Sequence, residues 1–403
     1  MNILFITIAW PKSGERNLYT DLMDEFVLQK HNVYVIGTQY DELPSDNEIK
    51  DENGIKVLRI NSGKIRKTSH LRKLFSLLTL GNKMLRGIEK HFPDIVFNLI
   101  ISPTPPITLS TLYKKLKHKY NARFYLLLKD IWPQGSVDHG VFSRYSIPWL
   151  FFRQHEIRTY KTADYIGCMS PLGAEYILSK NTYIARNKVE VCPNCIQLNN
   201  NIDENGGEKI RAKYGIPADA CVFIFSGNLG IGHGLGFLVE AIKQLADYPK
   251  AFFVIGGSGT HFRFLEDKLK EFPHKNVFLY NWLPSDDFNQ ILAACDVGLI
   301  LLYKYTVPQF PSRLLSYMEY SKPILCAVNQ YTDIGTIVEN HGCGCSTIHG
   351  NINEFISAIK YFSENKSERQ RMGKNARKLL IDNYTVVHGY KIIMNHFKNQ
   401  YIH

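Results

Sequence analysis

The stretch Phe223-Ile-Phe-Ser-Gly-Asn-Leu-Gly-Ile-Gly-His-Gly234 decides how this chain is read. An apolar run ends in a glycine-rich loop. Leu235, Leu238, Val239, Ile242 and Leu245 then recur at helical spacing. The order is strand, tight loop, helix, and it returns downstream. Phe252-Phe-Val-Ile-Gly-Gly-Ser-Gly259, Val277-Phe-Leu-Tyr-Asn-Trp-Leu-Pro284 and Phe310-Pro-Ser-Arg-Leu-Leu315 repeat it. Each loop falls where a parallel strand ends and a helix begins. Free backbone N–H groups and the helix dipole favour an anion there, so such loops bind nucleotide phosphates. Strands at Val222, Ala251, Val277, Val297 and Pro323 alternate with amphipathic helices, one of them carrying Phe355, Ile356, Ile359 and Phe362. That alternation predicts a parallel sheet covered on both faces.

The first half follows the same grammar. Asn2 to Ala9 is an apolar strand, residues 11–17 a loop with one glycine, Gly14, and Leu18, Leu22, Met23, Phe26 and Val27 a helix face. A strand at Asn32–Gly37 completes a βαβ unit. Further strands are expected at Ile55–Ile60, Pro93–Ile100, Arg123–Leu128 and Asp164–Ser170, with Val189–Ile196 closing the half. Gln197 to Glu208 is polar and glycine-bearing, a natural linker. The fold class is therefore α/β, with two doubly wound Rossmann-like domains at 1–197 and 205–384. A final helix at about 385–403 is placed back on the first domain. Two such domains imply a cleft, with ligand at the carboxyl ends of both sheets.

A chain of 403 residues is too long for one ordinary core, and 45% hydrophobic with 21% charged residues is globular composition. No apolar run is long enough to span a bilayer, and the N-terminus reads as a buried strand rather than a signal peptide. The eight cysteines sit mostly among apolar residues, which suits a reducing cytoplasm and thiols used as small core residues. Cys192-Pro-Asn-Cys195 has redox-motif spacing, the competing reading. Net charge is +11. From Val57 to Ile88 there is no Asp or Glu, while Lys64, Arg66, Lys67, Arg72, Lys73, Lys83 and Arg86 alternate with leucines. Two readings stand for this segment: a basic surface lying on the inner face of the plasma membrane, or a solvated helix packed by its leucines. No nucleic-acid module is present, so nucleic acid is not an expected partner.

Taken in order, the loops resemble family-4 glycosyltransferases of the GT-B fold, of the bacterial type that builds O-antigen, capsule and other surface glycans. The resemblance runs through Asp130-Ile-Trp-Pro133, Pro193-Asn-Cys-Ile196, Gly227-Asn-Leu-Gly230, Val254-Ile-Gly-Gly-Ser-Gly259 and Leu292-Ala-Ala-Cys-Asp-Val-Gly-Leu299. It continues through Pro311-Ser-Arg-Leu-Leu-Ser-Tyr-Met318, Lys322-Pro-Ile324 and Met372-Gly-Lys-Asn-Ala-Arg377. It implies a donor site for a nucleotide-diphospho sugar, UDP-linked by preference. Gly227, Gly230, Gly234, Gly256 and Gly257 would let backbone approach the diphosphate, with Gly14 approaching from the other domain. Asn281 and Trp282 would lie at the nucleobase, although core packing is the alternative for Trp282. Relatives carry Arg and Lys where this chain has Asn228 and His233. Arg313 is then the best remaining cation, flanked by Ser312 and Leu314 at a helix start. Relatives also carry two glutamates, at the positions of Pro308 and Ser316. Glu319, one turn beyond Ser316, is the candidate substitute, against the reading of a solvated surface residue.

On the acceptor side the resemblance points to Asp130, with Lys129 beside it. Asp130 would orient or partly deprotonate the acceptor hydroxyl, or else be an ordinary capping or turn aspartate. Asp286-Asp287 reads as a helix cap rather than a metal site. The implied reaction is metal-independent, retaining transfer to a polyprenyl-diphosphate-linked or other growing glycan, without a cofactor. A GT-B epimerase and a glycosyltransferase-like binding subunit without catalysis are the alternatives.

Overall fold

The computed structural model describes residues 1–8, 10–38, 48–62, 70–199, 207–303 and 307–400. It divides into two compact units, Met1–Gln197 with Thr385–His403, and Leu198–Tyr384.

The first unit is built on β1 (Asn2–Ile6), β2 (Asn32–Gly37), β3 (Glu48–Glu52), β4 (Ile55–Arg59), β5 (Leu99–Pro103), β6 (Arg123–Leu128), β7 (Tyr165–Cys168) and β8 (Val189–Val191). They lie in the order β3-β4-β2-β1-β5-β6-β7-β8. All pairs are parallel except β3 with β4. The chain moves one way from β1 to β4 and the other way from β5 to β8. The loops after β1 and β5 therefore diverge, opening a crevice at the carboxyl ends of the strands. Continuous apolar runs fill the sheet, and Ile3 to Ile6 and Leu99 to Ile101 are fully buried.

Two sequence expectations need correction here. The strand placed at Pro93–Ile100 lies at Leu99–Pro103, because Asn98 is tied to the head of β1 and pairing starts only after it. The strand Glu48–Glu52 was not anticipated. It forms an antiparallel hairpin with β4 around Asn53-Gly54, both at positive φ (54° and 82°), a two-residue turn geometry that Asn-Gly favours.

The second unit carries β9 (Cys221–Ser226), β10 (Ala251–Gly256), β11 (Val277–Tyr280), β12 (Val297–Leu301), β13 (Ile324–Val328) and β14 (Gly344–Ile348). The order is β11-β10-β9-β12-β13-β14, parallel throughout. The direction of travel reverses between β9 and β12, so the crevice lies beside the loop after β9. The sheet has one strand more than expected, β14. Its run Gly344-Cys-Ser-Thr-Ile348 is too polar to announce itself.

All eight cysteines are free thiols, and seven are buried. Burial pushes the Cys195 thiol up to about 12, with Lys129 pulling the other way. A thiol held protonated is a poor nucleophile, which favours the packing role over the redox one. No helix among the described residues is long and apolar enough to cross a membrane.

Lys64, Arg66 and Lys67 of the basic segment lie outside the described residues, and the side chains of Arg72 and Lys73 are not described. In the remainder of the helix His70–His91, Leu80, Met84 and Ile88 are fully buried while Lys83 and Arg86 face solvent. This portion is packed by its apolar side chains.

Candidate functional site

In the second unit four loops meet at the carboxyl edge of the sheet. The loop after β9 turns at Gly227 (φ 113°), backbone that only glycine adopts without strain, and at Gly234 (φ 61°), where an added Cβ would lie 2.5 Å from the His349 ring. It is stitched to the loop after β10: the Gly227 N–H donates to Gly256 O at 2.9 Å and the Leu229 N–H to Ser258 O at 3.0 Å. The Gly257 N–H in turn donates to Tyr280 O at 3.1 Å. The approach is so close that a Cβ on Gly257 would sit 1.9 Å from Gly227 O, and one on Gly256 would strike the Tyr280 ring.

Arg313 is held across this loop. Its guanidinium lies 4.0 Å from the centre of the Phe225 ring, and its Nη2 donates to Asn228 O at 3.2 Å. His233 faces the same nitrogen. The His233 Nδ1 lies 2.9 Å from Leu301 O, and a carbonyl only accepts, so Nδ1 carries the proton. Nε2 is then a lone pair, turned towards Arg313 Nη2 at 3.4 Å. His233 is buried. From behind the loop it positions the Arg313 guanidinium. Sequence reading placed His233 against the ligand, whereas the structure places it behind Arg313.

The other candidates fall as follows. Gly230 is packed against the Asn228 side chain. Asn281 and Trp282 follow β11 at the sheet edge, and Trp282 is 77% exposed, so the core-packing alternative does not hold. Ser312 occupies the cap position of the short helix Arg313–Glu319, but its side chain makes no capping hydrogen bond, and Leu314 behind it is fully buried. Ser316 is half-buried on that helix. Glu319 is buried rather than solvated, and its carboxylate accepts the Asn199 N–H at 2.8 Å. Arg377 binds the Glu319 carbonyl at 2.6 Å. Glu319 thus anchors the first residues of the second unit, which argues against it as a ribose ligand. The Asp286-Asp287 pair lies in the first turn of its helix without capping it, and Asp287 pairs with Lys213 at 2.6 Å.

In the first unit, β6 ends at Lys129-Asp130. The Thr104 hydroxyl, just past β5, pins this turn. It accepts the Lys129 N–H at 3.0 Å and the Asp130 N–H at 3.3 Å, and donates to Asp130 O at 3.1 Å. Asp130 is exposed, caps no helix, and its carboxylate makes no hydrogen bond or ion pair among the described residues. Water reaches it, yet the protein crowded around it pushes its pKa up to about 6, with Lys129 pulling down. Lys129 is half-buried beside the Cys192 and Cys195 thiols, and loss of hydration lowers its pKa. Gly14 (φ 87°) lies in the loop after β1, with open space around it. Arg16 closes that loop through a bidentate pair with buried Asp21 at 2.7 and 2.8 Å. Thr104, Phe225 and Asp21 were missed in the sequence. Only Phe225, on the strand leading into the glycine loop, left a usable signal.

Residues 207–379 match the family described as Glycosyl transferases group 1. The chain is 25% identical over 286 residues to the probable glycosyltransferase WbjE of Pseudomonas aeruginosa, covering 65% of this chain and 68% of that protein. It is 23% identical over 133 residues to the putative colanic acid biosynthesis glycosyl transferase WcaI of Escherichia coli, covering 33% and 32%. Among solved structures, Anabaena HepE in complex with UDP-glucose superposes with a TM-score of 0.71 at 16% identity, over 99% of this chain and 100% of that one. The chain has the GT-B fold, and the greater part of its second unit matches the glycosyl transferases group 1 family.

Proposed function

We propose that the protein is a retaining, metal-independent glycosyltransferase of family 4 that takes sugar from a UDP-sugar. Its acceptor is a lipid-linked or growing glycan of a bacterial surface polysaccharide, met at the inner face of the plasma membrane. The observation that carries this reading is Arg313, fixed by Phe225, Asn228 and His233 over a loop whose glycines leave room for phosphate. A preorganised guanidinium and backbone N–H groups stabilise a departing diphosphate without rearranging. Trp282 offers an open ring face to the base. In the first unit Asp130, with its carboxylate unengaged, orients the acceptor hydroxyl. Retention then follows from attack on the face the diphosphate leaves. The HepE complex and the surface-glycan relatives support the choice of donor and acceptor class.

The test is turnover by the full chain with UDP-sugars and polyprenyl-diphosphate-linked glycan, read by mass spectrometry and anomeric NMR. One added sugar with retained configuration is expected. Release of an epimerised nucleotide sugar without acceptor would assign an epimerase instead, and nucleotide binding without turnover a binding subunit.

A further inference from the structure

On the side of the glycine loop away from Trp282, the second unit carries a row of rings that the nucleotide does not use. Tyr303, just past β12, stacks on His349, just past β14, with centroids 4.6 Å apart and planes 27° apart. His349 leans on Phe237 at 4.5 Å, and Phe237 on fully buried Phe355 at 5.0 Å. Burial lowers the His349 pKa, so its ring stacks uncharged. The row runs from the core to the surface and ends on Tyr303, which is 48% exposed.

Tyr303 is fixed at both backbone atoms. Its N–H donates to Gly232 O at 2.8 Å, within the donor loop, and its carbonyl accepts Asn329 Nδ2 at 2.9 Å. Asn329 Oδ1 in turn accepts the Tyr331 N–H at 2.9 Å, which ties in a second exposed tyrosine. Thr332 Oγ1 donates to Gln309 O at 3.0 Å and links the same loop to the chain leading into Arg313. The Cβ that Gly234 lacks would also lie 2.8 Å from Tyr303 Cβ, so this glycine lets the stacked pair close on the donor loop. A lone exposed tyrosine is ordinary. One held at both backbone atoms and backed by a stacked ring is preorganised, so little entropy is lost when it meets a ligand.

Strand order says which part of a ligand reaches it. Along the carboxyl edge lie Trp282 after β11, Gly256 and Gly257 after β10, Gly227 to Gly234 after β9, and Tyr303 after β12. Neighbouring strands are about 4.8 Å apart. A base at Trp282 and a diphosphate at Gly227 and Arg313 lay the nucleotide from β11 to β9. The group beyond the diphosphate then continues to β12, one strand further, and in a nucleotide-diphospho sugar that group is the sugar.

We propose that Tyr303 seats the pyranose ring of the donor by stacking on its C–H face, and so positions the anomeric carbon beside the diphosphate loop. The negative face of an aromatic ring attracts the polarised C–H groups of a sugar. The inference rests on the UDP-sugar reading above and adds to it the side chain that receives the sugar.

The test is calorimetry of the full chain with UDP, UDP-glucose and UDP-N-acetylglucosamine. Tyr303→Ala should weaken at least one of the two UDP-sugars by roughly tenfold, the worth of a lost ring contact, and leave UDP affinity unchanged. Tyr303→Phe should keep wild-type affinity for all three, because the ring and not the hydroxyl makes the contact. Retained UDP binding would show that the variants are folded. UDP-sugar affinities untouched by Tyr303→Ala would overturn the proposal, as would equal loss of UDP and UDP-sugars, or wild-type binding of UDP with neither sugar. A rise in acceptor KM alone would assign the ring to the acceptor glycan and equally overturn it. No binding of UDP by the folded wild type would refute the donor reading itself, and this inference with it.

Discussion

The glycine loops of the second unit and the Lys129–Asp130 turn of the first both sit at the carboxyl end of a parallel sheet, yet they are made in opposite ways. The first is a backbone construction. Gly227, Gly256 and Gly257 approach until no Cβ fits, and Arg313 is locked by a ring, a carbonyl and a histidine. The second is a side-chain construction. One hydroxyl, that of Thr104, holds the turn, and the Asp130 carboxylate is left unengaged. A site that must hold a fixed polyanion gains from rigidity, whereas a group that exchanges a proton with an incoming hydroxyl needs an open valence. The first kind of site is exposed to loss of fold, the second to loss of chemistry.

Substitutions can break that contrast. Asp130→Asn should lower kcat by roughly 10²–10⁴-fold, the range for a positioned acid–base group. UDP affinity should stay as it is, and stability at neutral pH should not fall, since the neutral amide removes a carboxylate that the fold disfavours when ionised. The wild-type rate should also fall on acidification as the carboxylate protonates, with its midpoint near the raised value of about 6, and the variant should lack this limb. Gly257→Val should act in reverse. A side chain 1.9 Å from Gly227 O, at φ 123°, should cost about 3 kcal/mol or more, seen as a lower denaturant midpoint for the second unit. Smaller effects sharpen the picture. Trp282→Ala should weaken UDP binding by roughly tenfold without changing stability, since the ring is exposed and base stacking is worth about 1–3 kcal/mol. His233→Leu should weaken it by roughly fivefold, about 1 kcal/mol, through loss of the acceptor that positions Arg313. Calorimetry on each variant reads these differences.

What was legible in the sequence follows the same division. Runs such as Phe223–Ser226 and Phe124–Leu128 are buried on both sheet faces, so apolar continuity marked them, and glycines at forced backbone positions marked the loops. Residues whose role arises only from tertiary neighbours were silent. Nothing local says that Thr104 will meet Asp130, or that His233 will turn towards Leu301 and Arg313. Glu319 misled for a related reason: helical spacing put it near Ser316, but a long-range contact with Asn199 claims its carboxylate. Edge elements were also weak in sequence. The hairpin strand Glu48–Glu52 and β14, with Ser346 and Thr347 in a five-residue run, are too polar for an apolar pattern.

The central claim is that the loops of the second unit hold a nucleotide diphosphate through Arg313. Titration of UDP into the full chain by calorimetry, in parallel with Arg313→Ala, tests it most directly. Saturable binding is predicted, weakened about 10- to 100-fold by the substitution, the worth of a charge-assisted hydrogen bond. Arg313→Lys should recover part of the loss, because it keeps the charge and loses the planar fork. Equal affinity in wild type and Arg313→Ala, or no binding of UDP by the folded wild type, would contradict the account.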